Sequence, residues 1–308
     1  MKKVIVTTTI NSPTEAIERF DSFGDYELVV VGDRKTPADY KLKRGFYISP
    51  CDQSKRYPKL SSLLGWNCIQ RRNLGFLIAL EMGADIIATV DDDNIPDDDW
   101  GSDLLIGSCV TVSSYETDDL VFDPISVTNM PHLWHRGFPI QLVNERKYHQ
   151  GPDQNINVNI QADFWNGDPD VDAICRMIYK PNCIFARDHF PFFSEQIAPF
   201  NSQNTFLERE LLPNYFMFPF IGRMDDIWGS YYLQMISGCR PVFNRPTVNQ
   251  ARNEHDLTKD FEGEITGYSN TLKMLIDMSK DVNSLFSYLP ERSSQAFLEY
   301  KTLAEKLV

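Results

Sequence analysis

Three consecutive carboxylates, Asp91-Asp92-Asp93, follow directly on the apolar run Ile86-Ile87-Ala88-Thr89-Val90. Such a run reads as a buried strand, and open α/β sheets bind ligands outside the carboxyl ends of their strands. Side chains alternate along an extended segment, so Asp91 and Asp93 are expected on one side and Asp92 on the other. Two carboxylates on one side of a strand exit make a hard-oxygen site for Mg²⁺ or Mn²⁺. An ion held by few carboxylates keeps positions open for phosphate oxygens. The competing reading is a solvated acidic turn running to Asp99. An EF-hand loop does not fit, because Pro96 stands where that loop needs glycine.

The elements that must position this corner are legible upstream. Val4 to Thr9 and Leu28 to Val31 read as strands, ending in Thr7-Thr8-Thr9 and at Asp33, and Gly45 to Ile48 as a shorter one. Pro13 to Phe23 reads as a helix with Ser12 as N-cap and Pro13 in its first turn. A second helix is expected from about Trp66 to Met82, with Ile69, Asn73, Phe76, Leu77 and Leu80 at helical spacing and Gly83 as a left-handed cap. Strands alternating with helices predict an α/β fold with a mainly parallel sheet. Residues 101 to 215 pattern weakly and suggest long loops over a few elements. Leu272, Leu275, Met278, Phe297, Leu298 and Leu303 restore helical spacing. The expected organisation is one domain over 1–267, with a nucleotide-binding half (1–100) and an acceptor half (101–267), then a helical extension over 268–308.

The 308 residues carry 30 Lys+Arg against 43 Asp+Glu, a net charge of −13, with 42% hydrophobic and 24% charged residues. That is an ordinary globular composition, and its acidity disfavours binding to a nucleic-acid backbone. Six scattered cysteines without a CxxC pair read as reduced. The opening apolar run is too short for a signal peptide and no window suits a membrane helix, so a cytoplasmic location is expected.

A strand leading into an Asp-x-Asp exit, after a threonine-rich first strand, resembles the glycosyltransferase A (GT-A) fold, which binds a nucleotide sugar through a metal. Further segments make the resemblance specific: Arg71-Arg72-Asn73-Leu74-Gly75-Phe76, Asp91-Asp92-Asp93-Asn94, Trp134 to Pro139, Asn166 to Ala173, Ala198 to Thr205, Gly222 to Trp228 and Arg252 to Asp256. In this order they resemble the successive motifs of the STELLO-type glycosyltransferase-like family, over nearly the whole chain. A more distant likeness is to the UDP-arabinopyranose mutases, where Val143 here stands in place of an arginine and counts against mutase chemistry. The plant STELLO proteins carry a membrane anchor, and their Golgi role is not carried over.

The resemblance implies roles. Asp93 would bind the metal, and Asp91 the ion, a water on it or the ribose, with Asp92 on the donor side. Asp33 would accept from base or ribose, or else serve only its own turn. Thr8 and Thr9 would meet the base edge, or be ordinary strand threonines. Arg71 and Arg72, near a helix start, would meet the diphosphate, one of them being only a surface charge. His255 would reach the ion or the diphosphate, or be a solvated loop residue. Asp226 is the first choice for the base that takes the acceptor proton, and Asp225 the second. Alternatively Asp226 caps the helix that Ile227, Trp228 and Tyr231 begin. Asp168 and Asp170, beside Asp172, belong with Arg136 and Trp228 on the acceptor side, unless the aspartates only shape turns. Trp134, Trp165 and Trp228 would stack on sugar or fill the core.

The expected function is therefore metal-dependent (Mn²⁺ or Mg²⁺) transfer of a sugar from a nucleoside diphosphate donor, UDP-linked by preference, to a hydroxyl acceptor such as a glycan. Asp226 as base would imply inversion. The alternatives are a non-catalytic nucleotide-sugar-binding scaffold and a nucleotide-sugar mutase. A nucleotidyltransferase would need a Gly-rich basic loop after the first strand, and Thr9-Ile10-Asn11-Ser12-Pro13 is not one.

Overall fold

The computed structural model describes residues 1–251 and 256–308. The chain runs β1 (Lys3–Thr9), α1 (Glu15–Phe20), β2 (Glu27–Gly32), β3 (Phe46–Ile48), α2 (Pro50–Arg56), α3 (Pro58–Leu64), α4 (Arg72–Glu81), β4 (Ile86–Val90) and β5 (Asn94–Pro96). It continues through β6 (Cys109–Glu116), β7 (His149–Gln150), β8 (Gln154–Asn157), β9 (Ile160–Gly167), α5 (Ala173–Tyr179), β10 (Phe192–Phe193) and β11 (Asn204–Glu208). α6 (Asp225–Ser237), β12 (Val242–Gln250), α7 (Leu257–Met278) and α8 (Glu291–Ala304) complete it.

The strands form one mixed sheet in the order β3-β2-β1-β4-β11-β9-β12-β10-β6-β7, flanked by helices. β3, β2, β1 and β4 are all parallel, and β2 and β4 carry the continuous apolar runs of strands covered on both faces. β11 lies antiparallel between β4 and β9, and β9 pairs parallel with β12. This order decides where the chemistry collects. The carboxyl ends of β1, β2, β4, β9 and β12 and the start of β11 all reach the same edge, as the facing pairs Asn204 with Val90 and Gln250 with Gly167 show.

Helix α4 is buried along its length from Arg72 to Leu80, packed on β1 and β2 on one side and against α8 on the other. Gly75 lets it lie that close, because a Cβ there would come within 2.4 Å of Val6 Cγ1 and 2.9 Å of Val31 Cγ2. The C-terminal helices are part of the core: Phe297 packs on Phe216, Phe218 and Tyr232, and the Tyr300 hydroxyl donates to Leu212 O. Each such buried ring contributes roughly 1.5–3 kcal/mol through its burial. Among the described residues, no helix is long and apolar enough to cross a membrane.

Two helix starts differ from expectation. α1 is capped by Thr14, whose hydroxyl accepts from Ile17 N at 3.2 Å, and Ser12-Pro13 stay outside it. The first helical residue is Glu15, so the cap falls on Thr14, whose backbone is extended (φ −83°, ψ 167°) as a cap requires. The second helix starts at Arg72 rather than Trp66, because left-handed backbone at Gly65 (φ 82°) and Asn67 (φ 56°) breaks the run. A short 3₁₀ turn, Ile69–Arg71, connects that break to α4, and Gly83 (φ 75°) follows the helix in the expected left-handed state.

Candidate functional site

Asp91, Asp92 and Asp93 do not continue the strand. β4 stops at Val90, and a turn follows in which Asn94 N donates to Asp91 O at 3.4 Å. The expected alternation of side chains therefore does not apply, since it holds only for extended backbone. The grouping survives by another route. Asp91 and Asp93 both line two adjoining cavities of about 300 and 200 Å³, and Ile69 also lines both.

The larger cavity is walled by the ends of β1 and β2, the segment 67–72 and the acidic turn. Thr8, Thr9, Asp33, Arg71, Arg72 and Asp92 all face it, so the topology brings together the residues expected on the donor side. Asp92 accepts from Thr9 Oγ1 at 2.5 Å and Asn11 Nδ2 at 3.2 Å. Asp33 accepts from Arg34 N at 2.6 Å and Cys68 N at 3.1 Å, so it serves its own turn and also tethers the segment that carries the arginines.

Neither arginine is the surface charge that was expected, because both are buried. Arg71 donates to Gln53 Oε1 (2.5 Å), Gly65 O (2.6 Å) and Ser61 Oγ (2.7 Å) and lies 3.6 Å from the centre of the Trp66 ring. Burial lowers its pKa to about 10. Arg72 donates to Asp91 Oδ1 at 2.6 Å and to Ser202 O at 2.8 Å, while its Nε is buried with no acceptor among the described residues. Burial raises the pKa of Asp91, and Arg72 opposes that rise.

The smaller cavity is lined by Arg136, Asp170, Ser202, Gln203, Arg223, Asp225 and Asp226 beside Asp91 and Asp93. Arg136 is its buried keystone. Nε donates to Asp170 Oδ1 at 2.8 Å, NH1 and NH2 donate to the two oxygens of Asp226 at 3.0 and 3.2 Å, and NH1 also meets Arg223 O. Asp226 Oδ2 accepts in addition from Ser202 N (2.9 Å) and Ser202 Oγ (3.1 Å). Burial would raise the Asp226 carboxyl, but the Arg136 guanidinium overrides it and holds the pKa below the usual range. Asp226 does not cap α6; it lies in the first turn, turned toward Arg136.

Asp225, next to it, has the opposite character. It accepts from Gln70 Nε2 at 2.7 Å, and burial first, then the Asp226 charge, push its pKa up to about 7. Adjacent carboxylates with pKa values driven apart are the arrangement in which one stays a fixed anion and the other exchanges a proton near neutral pH.

The other acceptor-side expectations divide. Asp170 reaches the cavity, but Asp168 is not among the residues that line it and pairs with Arg176. Asp172 caps α5 and accepts from Trp134 Nε1 at 2.5 Å. Trp134, Trp165 and Trp228 are all buried, and Trp228 Nε1 donates to Thr271 Oγ1 at 3.1 Å, so the three fill the core and present no face to a sugar. His255 lies outside the described residues; Ala251, shortly before it, donates to Asp93 O at 3.3 Å. Gln70 and Trp66 were not anticipated. Gln70 carries no signal of its own beside two arginines, and Trp66 was read only as a helix start.

The geometry can be set beside known proteins. No protein-family profile matches the chain. Two curated plant proteins do: "Probable glycosyltransferase STELLO2" and "Probable glycosyltransferase STELLO1" of Arabidopsis thaliana, each 25% identical over an alignment of 223 residues that covers 66% of this chain. The chain resembles the STELLO proteins. The resemblance carried by its motifs is thus borne out, although the chain spans 29% of the length of these relatives. Among solved structures, glucosyl-3-phosphoglycerate synthase from Mycobacterium tuberculosis, in complex with phosphoglyceric acid, is similar over 94% of this chain and 81% of its own, at 12% identity and a TM-score of 0.43. A mannosyltransferase from Pyrobaculum calidifontis, in complex with GDP-Man and Mn²⁺, is similar over 98% of this chain and 73% of its own, at 12% identity and a TM-score of 0.41.

Proposed function

We propose that the STELLO-like chain is a GT-A-type glycosyltransferase that moves a sugar from a nucleoside diphosphate donor, UDP-linked by preference, to a hydroxyl acceptor such as a glycan. One observation carries this reading: Asp91 and Asp93 stand in the shared wall of two adjoining cavities. A nucleotide sugar spanning that wall would keep its nucleotide beside Thr8, Thr9 and Asp33 and present its sugar to the cavity that holds Asp225.

The donor set suits a divalent ion. Carboxylate oxygens are hard ligands, and two of them leave places for diphosphate oxygens. Among the described residues no three His, Cys, Asp or Glu side chains gather as a closed protein cage. Asp91 and Asp93 would hold Mn²⁺ or Mg²⁺, which when bound offsets the charge of the departing diphosphate. Arg72, with its unmatched Nε, adds positive charge on the same wall. Asp225 takes the proton from the acceptor hydroxyl as that oxygen bonds to the anomeric carbon and the nucleoside diphosphate departs, an inverting displacement. This reassigns the base from Asp226, whose carboxylate oxygens are occupied by Arg136 and Ser202.

Calorimetry with UDP in the presence of Mn²⁺ tests the donor site. Binding is expected, and Asp93→Ala should weaken it more than about tenfold, because a divalent ion on few carboxylates depends on each of them. Absence of binding, or equal binding by the variant, removes the basis of the proposal. UDP binding with no transfer from any of a panel of nucleotide sugars would favour the non-catalytic scaffold.

A further inference from the structure

Between the donor cavity and Asp225 lies one short piece of chain. Cys68 N is held by Asp33, Ile69 lines both cavities, Gln70 reaches Asp225, and Arg71 and Arg72 wall the donor side. The piece is anchored at its far end as well. Asn73 Nδ2 donates to Gln70 O at 2.8 Å and to Met217 O at 2.9 Å, and Met217 N donates back to Asn73 Oδ1 at 3.0 Å. One residue on, Phe218 N donates to Asp225 O at 3.1 Å. The backbone of Gln70 and the backbone of Asp225 are therefore pinned to the same strip, 217–218, and the Gln70 side chain closes the loop at Asp225 Oδ2.

We infer that Gln70 is a positioning residue: from the turn that walls the donor cavity, it fixes the orientation of the Asp225 carboxylate and favours its ionised form. A primary amide can only donate through its nitrogen, so the bond from Nε2 is stronger to a carboxylate than to a carboxylic acid. It thereby opposes the two influences that hold the proton on Asp225, burial and the Asp226 charge, while Arg136 acts in the same direction as Gln70 from behind Asp226. The inference rests on the proposed role of Asp225, but its decisive measurement does not. Gln70 is only partly buried, so its replacement leaves the core intact.

The test is a carboxylate titration by ¹³C NMR in the free protein, with Asp225→Asn identifying the resonance. Gln70→Leu and Gln70→Met should each move the Asp225 midpoint upward by about one pH unit, the size expected for losing one hydrogen bond to a charged group. A midpoint that stays put in both variants overturns the inference. In transfer assays, acceptor kcat/KM of the variants should fall about tenfold on the acid side and recover toward wild type at alkaline pH, with the donor KM unchanged. A loss of equal size at every pH shows a merely structural role and overturns it too. A shifted midpoint in a protein that transfers no sugar would leave Gln70 as assigned and sink the glycosyltransferase reading alone.

Discussion

Asp225→Asn is expected to lower kcat for sugar transfer by about 10²–10⁴-fold, the usual worth of a positioned base, while UDP affinity stays within a few-fold of wild type. Asparagine keeps the shape and its amide oxygen can still accept from Gln70 Nε2, but no proton can be taken. The sign of the pH effect follows from the pKa. With its carboxyl raised to about 7, Asp225 is protonated and inactive below that value and ionised and active above it. Wild-type kcat/KM should therefore fall about tenfold per pH unit below the midpoint of the free enzyme and level off above it. A variant that retains a tenth or more of the wild-type rate, or that loses UDP binding in proportion, would take the base role away from Asp225.

The largest effect on stability is expected at Arg136. One buried guanidinium serves two buried carboxylates, Asp170 and Asp226, from different parts of the chain. Arg136→Ala removes the cation and leaves the charge it balanced inside the protein, at a cost of about 3–5 kcal/mol in urea unfolding at pH 7. The triple variant Arg136→Met, Asp170→Asn, Asp226→Asn removes both signs of charge together and should recover much of that loss. A single variant that loses less than about 1 kcal/mol, as an exposed ion pair would, contradicts the keystone role. Asp226→Asn alone is expected to act mainly through this network, with its effect read in unfolding midpoint more than in proton transfer.

Local pattern suffices where a strand is buried on both faces. Ile86–Val90 forms a strand with the boundaries its apolar run predicts, and Leu28–Val31 sits within one. A segment covered on both faces by the same core has no polar position to blur its ends. The corner after Val90 was legible for the same reason, because a carboxylate run can begin only where the buried strand stops. Arg71 and Arg72 were harder. Neighbouring arginines look alike in a sequence, and only their surroundings send one to Trp66 and Ser61 and the other to Asp91. The tryptophans misled for a related reason, since an indole suits both a sugar face and a core.

The strand ends and the kind of chemistry they bear are legible along the chain: hydroxyls at the end of β1, Asp33 after β2, three carboxylates after β4. These depend on neighbours along the chain. Which charges meet depends on the folded chain. Asp225 and Asp226 are adjacent and chemically identical, yet Arg136, some ninety positions earlier, and Ser202 claim one of them, while Gln70 donates a side-chain bond to the other. A carboxyl's proton affinity is set by the dielectric and the charges within a few ångströms, and those come from parts of the chain that meet only when the sheet has formed.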